Sequence, residues 1–445
     1  MTDFSRKIFG VISLGCDKNR VDTEKLLSII KGAGCTVSDD LDEVNVLIIN
    51  TCAFLNASRK EAIETILDCV ANRSANLEKI VVSGCLPQKY VGELFTSLPE
   101  VDVFMGTNDY NDFFKALDRS YCGERVNFVG CGDNKFSCDR VLTTPCHYAY
   151  LKIADGCNNF CTYCLIPKIR GRYVSYPMEE LLKEAESLGD VSELILVAQD
   201  VTRYGIDLYG KKFLKTFLQK LTTLVNIKSV RLLYCYPDVI DDELIAEIRD
   251  NPKIIKYLDI PFQHSENRIL KLMNRRGTRE EYLALIEKLK REIPGIALRS
   301  TFICGFPTET EQETDAMCEF LERAELVNCG FFAYSREPDT AAYSMKGQLP
   351  YAVKTKRVKK LYSVQRAISR RFLSDFVGKS ITVLCDGIDY ERECFVGRAY
   401  FSAPEIDGKV YFNAAYAEQG QYINVKITSC DDYDLYGMTE DYADD

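Results

Sequence analysis

Histidine is nearly missing from these 445 residues: His147 and His264 are the only two. Imidazole-rich metal sites are thereby excluded, and both histidines are expected to be packed or hydrogen-bonded. Long apolar runs are missing as well. The opening MTDFSRKIFGVISLGC is too short and too broken to act as a secretory core, and no stretch approaches a membrane span, so a cytosolic protein with no membrane partner is expected. No low-complexity linker occurs. The third shortage is of positive charge at one end. Residues 378–445 hold five bases (Lys379, Arg392, Arg398, Lys409, Lys426) against fourteen acids, a net of -9 in a chain whose total is -10. A surface that wraps nucleic acid must be basic, so direct nucleic-acid binding by this region is not expected.

What is plentiful is cysteine, nineteen in all. A cytosolic chain keeps its thiols reduced, which leaves metal ligation or burial as explanations. Cys157, Cys161 and Cys164 stand close together in DGCNNFCTYCLIPKIRGR, with no fourth cysteine or histidine nearby. Structural zinc takes four protein ligands, whereas a four-iron cluster on three thiolates keeps one iron open for a substrate or cofactor. The triplet fits the second case better.

With 46% hydrophobic and 27% charged residues the composition is that of an ordinary soluble protein, and the length calls for two or three domains. The first 110 residues repeat one pattern, an apolar run, a cysteine and a helical stretch: KIFGVISLGC ends in Cys16, VNVLIINTC in Cys52 and KIVVSGC in Cys85. Helical stretches at 21–32, 56–73 and 88–98 between β-branched runs predict a parallel sheet with crossover helices. Ligands gather at the carboxyl ends of such strands, so three cysteines far apart in sequence can meet there. Three buried apolar cysteines would give the same pattern. From Val141 the alternation restarts with strands near 148, 193, 230, 256, 297 and 330, which predicts an α/β barrel of six units, open on one side. Cys157 follows its first strand, on the face where barrels build active sites. Residues 352–371 carry eight bases and no acid, either as a solvated helix linking two domains or as a dock for an acidic partner such as the tail. Short alternating strands after it predict a small β-barrel. The expected domains are 1–140, 141–375 and 376–445.

The triplet, with Tyr163 before its last cysteine, resembles the radical S-adenosylmethionine (SAM) superfamily. SLGCDKN, NTCAFLNASRKEAIE and SGCLPQKY look like the amino-terminal domain of the methylthiotransferases, and the tail looks like their closing TRAM barrel. Two classes exist, one acting on tRNA adenosine, the other, RimO-type, on an aspartate of small-subunit ribosomal protein twelve. KIADGCNNFCTYCLIPKIRGR, VAQDVTRYGIDLYG, LLYCYPD, LDIPFQH and DDYDLYG resemble the ribosomal-protein class. The acidic tail agrees independently, since a barrel facing a basic ribosomal protein can be acidic and one gripping tRNA should not be.

The resemblance implies two 4Fe-4S clusters, one on Cys157, Cys161 and Cys164 whose open iron chelates SAM, the other an auxiliary cluster on Cys16, Cys52 and Cys85. One SAM would methylate a sulfur and another would generate the radical that opens the β-carbon of the aspartate, with a low-potential electron donor and a sulfur donor as further partners. Tyr163 and Gln199 are the expected cofactor-binding side chains, with Asp200 beside them, and no residue is assigned as catalytic. A tRNA adenosine substrate is the alternative. A non-catalytic iron-sulfur electron carrier is more remote, because two groups of three cysteines do not fully ligate clusters. Lys168, Arg170 and Arg172 either neutralise cluster and substrate charge or are solvated surface. The other thirteen cysteines are expected to fill the core. Two positions depart from the family pattern. Asp17 replaces the proline after the first cysteine and adds charge beside a cluster, and Thr308 replaces the glycine of GFPGET, forming a capping-box pattern with Glu311.

Overall fold

The computed structural model describes residues 2–131 and 139–443. They group into two compact units: Met1–Thr144 with Tyr150–Asn158 and Cys164–Leu188 in the first, and Pro145–Ala149 with Asn159–Tyr163 and Gly189–Asp445 in the second.

The main sheet of the first unit is built of β1 (Ile8–Ser13), β2 (Thr36–Val37), β3 (Val46–Thr51), β4 (Lys79–Gly84), β5 (Val103–Phe104) and β6 (Val126–Asn127), in the order β2-β1-β3-β4-β5-β6 with every pair parallel. Side chains alternate across a strand, and here both faces are covered. Val46 and Ile48 of β3 enter one hydrophobic cluster with Phe9, Val81 and Phe113, while Leu47 and Ile49 enter the other with Ile80, Val82 and Ile66. Burial on both faces explains why VLII, residues 46–49, reads as an unbroken apolar run. The crossover helices α1 (Asp17–Gly32), α2 (Asn56–Ala71) and α3 (Cys85–Ser97) begin where the cysteine motifs stand.

A strand β7 (Tyr148–Lys152) leads into a two-stranded antiparallel pair, β8 (Ala154–Asp155) with β9 (Val174–Ser175). The Cys157–Cys164 segment therefore lies in the excursion between β8 and β9 instead of following the first barrel strand directly. The second unit's sheet continues with β10 (Val191–Val197), β11 (Ile227–Leu232), β12 (Ile254–Asp259), β13 (Ala297–Cys304) and β14 (Asn328–Ala333), and the full order is β14-β13-β12-β11-β10-β7. Strands β10 to β14 pair in parallel and in sequence, and the sheet does not close: a partial barrel of six strands. The basic helix Tyr351–Ser374 is no free linker. Lys354, Leu361, Gln365, Ile368 and Leu373 are buried, and Gln365 donates to the carbonyl of Leu326 at 2.8 Å.

The last element is a closed five-stranded barrel of β15 (Ser380–Asp389), β16 (Cys394–Arg398), β17 (Val410–Asn413), β18 (Tyr422–Cys430) and β19 (Leu435–Met438), ordered β15-β16-β17-β19-β18. It joins the sheet of the same unit through buried charge. Arg398 donates to Glu193 at 2.6 Å and to Asp386 at 2.9 Å, Arg231 donates to Glu193 at 2.5 Å, and Arg299 pairs with Asp259 at 3.0 Å and Asp407 at 3.2 Å. Among the described residues, no helix is long and apolar enough to cross a membrane.

Candidate iron-sulfur and cofactor site

In the first unit Cys16 is the N-cap of α1, Cys52 follows β3 and Cys85 opens α3, so all three thiols stand at the carboxyl ends of neighbouring strands β1, β3 and β4. Glycine makes the approach possible. Gly84 has φ +95°, and a β-carbon there would run into the Asn50 side chain and come within 2.6 Å of the Thr51 carbonyl. Gly15 has φ +102°, and its β-carbon would lie 2.7 Å from that of Cys52. The Asn19 amide ties two of the loops together, donating to the carbonyls of Leu14 and Thr51, both at 3.1 Å.

Burial pushes the Cys85 thiol up to about 12, against the pull of Arg170, with Cys16 and Cys52 adding to the rise. Burial likewise raises Cys52, again with Cys16 contributing. Cys52 and Cys85 stay protonated at neutral pH until a metal displaces the proton. Among the described residues no three His, Cys, Asp or Glu side chains converge as the ligands of a single ion would. A four-iron cube has no such requirement, because it takes its thiolates at separate corners. Three sulfurs on glycine-shaped loops, with a cation alongside, suit that larger group.

The cation is Arg170, which the spacing alone could not tell from its neighbours. It is 5% exposed, whereas Lys168 and Arg172 are on the surface. Its Nη2 donates to Asn19 Oδ1 at 2.5 Å and to Cys85 Sγ at 3.6 Å, its Nη1 donates to Asp155 at 2.9 Å, and it pairs with Asp22 at 3.0 Å. Lys152, also buried, donates to Asp155 at 3.1 Å and to Asp22. Burial opposes the charge on Arg170, and the carboxylates and thiols around it more than restore it. Asp17 occupies the first turn of α1, where the helix dipole favours an acid, a local reason for its presence.

The second cysteine segment is held piece by piece. In the first unit Cys157 N donates to the Gly171 carbonyl at 3.2 Å, and Cys164 Sγ accepts from Ile166 N at 3.4 Å. Gly156 has φ +74°, and a β-carbon there would run into the backbone of Gly171 and Arg172. In the second unit Asn159 donates to Asp200 at 3.1 Å, Thr162 N donates to the Met273 carbonyl at 3.0 Å, and Asn274 donates to the Phe160 carbonyl at 3.1 Å. Arg275 reaches Cys161 Sγ at 3.9 Å, and Tyr163 packs with Ile269, Met273, Phe306 and Tyr334. Gln199 is half-buried just past β10. Asp200 next to it is fully buried and paired with Arg203 at 2.9 Å, so it anchors the cysteine segment through Asn159.

His147 and His264 are both buried. The first bonds Asp386 at 2.8 Å, and the second accepts from Glu266 N at 3.0 Å and lies 3.4 Å from Glu309. Two expectations need correction. The remaining cysteines are not uniformly core: Cys35, Cys235, Cys304 and Cys385 are buried, but Cys122, Cys131 and Cys146 are exposed in loops, and Cys138 lies outside the described residues. The capping box belongs to Thr310 and Glu313 at the start of helix Glu311–Ala324, two residues beyond the expected pair. Thr308 instead sits at φ +68°, its hydroxyl accepting from Arg268 at 2.9 Å.

Three family models match the chain: "Radical SAM superfamily" over residues 151–321, "Uncharacterized protein family UPF0004" over 8–106 and "TRAM domain" over 377–439. Solved structures agree on the radical SAM fold. The radical S-adenosylmethionine methyltransferase TsrM from Kitasatospora setae, solved with cobalamin and a 4Fe-4S cluster, has a TM-score of 0.58 at 14% identity, covering 75% of this chain and 76% of that one. The cobalamin-dependent S-adenosylmethionine radical enzyme OxsB has 0.51 at 13%, covering 81% and 56%. Much nearer in sequence are proteins named "Ribosomal protein uS12 methylthiotransferase RimO". The one from Lachnoclostridium phytofermentans is 42% identical over 440 residues, 98% of this chain and 100% of its own. That of Pelotomaculum thermopropionicum is 44% identical over 439 residues, 97% and 98%. The chain belongs to the RimO family of radical SAM methylthiotransferases.

Proposed function

We propose that the protein inserts a methylthio group at the β-carbon of an aspartate of ribosomal protein uS12, the substrate in its relatives' name. The observation that carries this reading is the gathering of Cys16, Cys52 and Cys85 at three adjacent strand ends, in a chain that also holds the Cys157, Cys161 and Cys164 segment. Two 4Fe-4S clusters and SAM, when bound, supply the electron, the hydrogen-abstracting radical and the methyl group. Cys157, Cys161 and Cys164 would hold the cluster that takes SAM, and Cys16, Cys52 and Cys85 the auxiliary one.

The protein's own part is placement. Asp200, Met273 and Asn274 fix segment 159–163, so that Cys161 and Tyr163 are set before any cofactor arrives. Tyr163 and Gln199 are the side chains proposed to contact SAM. Cys52 and Cys85 must each lose a proton on metal binding, and Arg170 stabilises the resulting charge at Cys85. An acidic terminal barrel suits a basic ribosomal protein. A low-potential electron donor and a sulfur donor complete the set of partners, and a ribosomal-protein substrate supports a cytoplasmic reaction.

The test is an anaerobic reaction of reconstituted protein with SAM, a strong reductant and a sulfur source, offered uS12 and tRNA separately. Mass spectrometry should find the added methylthio group on uS12. A gain on tRNA alone would overturn the substrate, and deoxyadenosine without any modified product would overturn the transfer.

A further inference from the structure

We propose that Arg170 is a positioning residue that sets the reduction potential of the auxiliary cluster through its hydrogen bond to Cys85. The proposal rests on the assignment of Cys16, Cys52 and Cys85 as that cluster's ligands, and it goes beyond it by giving a role to a residue that is no ligand.

Three observations point the same way. First, the contact is direct: Nη2 of a buried guanidinium lies 3.6 Å from Cys85 Sγ, within reach of an N–H···S hydrogen bond. Donors to cluster sulfur draw electron density from it and make reduction easier, so their removal lowers the potential. Second, the pose is fixed in advance. Asn19, Asp155 and Asp22 hold the planar fork, and Asn19 is itself tied to the ends of β1 and β3, so the N–H facing Cys85 cannot swing away. A lysine, a point charge on a flexible stem, would not reproduce that aim. Third, the charges around the contact are balanced. Arg170 and Lys152 face Asp22 and Asp155, two cations against two carboxylates in a buried quartet. Removing one member therefore leaves a definite residual charge beside Cys85, where water screens it little.

The same quartet reaches the other cysteine segment. Asp155 ends β8, two residues before Cys157, and Arg170 lies six residues past Cys164, so the bond between them closes the base of the excursion that carries Cys157 and Cys164. One side chain is thus bonded at once to the base of that segment and to a sulfur of the other set.

The experiment uses the full chain with Cys157, Cys161 and Cys164 changed to Ala, reconstituted so that only the auxiliary cluster can assemble. Its midpoint is read by potentiometric titration followed by electron paramagnetic resonance, with iron and sulfide counted per chain. Arg170→Gln should lower the midpoint and Asp155→Asn should raise it, because the first removes a positive charge and the second a negative one. A purely structural role would move both the same way or neither, and either result overturns the proposal. If Arg170→Gln holds no cluster, Arg170→Lys takes its place and should retain iron at a lowered midpoint. Loss of iron there too would make Arg170 an assembly residue and overturn the proposal. Failure of the parent with Arg170 intact to bind any cluster would instead refute the ligand assignment, and the role of Arg170 with it.

Discussion

A neutral thiol costs little to bury and a thiolate costs a great deal, so the fate of Cys52 and Cys85 depends on what else is buried with them. Cys52→Ala should abolish methylthio transfer while reductive cleavage of SAM, followed as deoxyadenosine by liquid chromatography, continues. Gly84→Ala is a sharper probe, because it keeps all six cysteines. Its backbone, at φ +95° and ψ -151°, is a conformation nearly reserved for glycine that costs roughly 1–3 kcal/mol for any other residue, and the contact with Thr51 adds to that. The loop should shift and the reconstituted protein should retain one cluster's iron instead of two. Asp155 makes an acid-range prediction. Burial alone would raise its pKa, but Arg170 and Lys152 hold the carboxyl well below the ordinary value of 3.8. The stabilisation from that depression is complete above about pH 4 and is lost as the pH falls through the folded value. Acid unfolding followed by circular dichroism should therefore show a smaller loss of stability below pH 4 in Asp155→Asn than in the parent.

Among the elements, helix starts and buried charge are separable. Thr310→Ala removes a cap that bonds Glu313 N and should cost about 1 kcal/mol in urea unfolding. Thr308→Gly should cost less, since glycine takes a positive φ freely and no helix end depends on Thr308. TETEQE, residues 308–313, offers two overlapping cap patterns, and only the backbone tells which one is used. The same limit runs through the fold. Buried parallel strands such as VLIINT and LILV announce themselves because both faces are covered. The two-residue strands β2, β5 and β6 are too short to carry a period. Strand β19, LYGM, forms a hairpin with β18 and also pairs in parallel with β17, but four residues with a glycine among them carry too little alternation to announce either. Of the six cysteines proposed as ligands, Cys157, Cys161 and Cys164 stand out by spacing, whereas Cys16, Cys52 and Cys85 are marked only by their place at strand ends and the motifs around them. Arg170 does not stand out, because only the fold separates one buried arginine from two exposed bases beside it. Between β10 and the barrel, Arg398→Met would leave Glu193 and Asp386 each short of a buried partner and should lower stability by about 3–5 kcal/mol, seen as a fall in Tm.

Across the whole chain, charge works differently at the surface. Arg366 and Arg370 of the basic helix approach Asp432 of the terminal barrel at 3.4 and 3.7 Å, so part of the acidic tail does serve as that helix's partner. Both arginines are largely exposed, and such pairs contribute about 0–1 kcal/mol. Asp432→Asn should accordingly leave the Tm nearly unchanged, a clear contrast with Arg398→Met. The position of β19 has its own consequence. It sits between β17 and β18, so the five strands form a ring only once residues 435–438 have left the ribosome. A nascent or prematurely terminated chain that stops before them presents two bare strand edges, β17 and β18, each open to pairing with another chain. A chain truncated before Leu435 should therefore aggregate or be cleaved faster than the full chain, as light scattering and limited proteolysis would show.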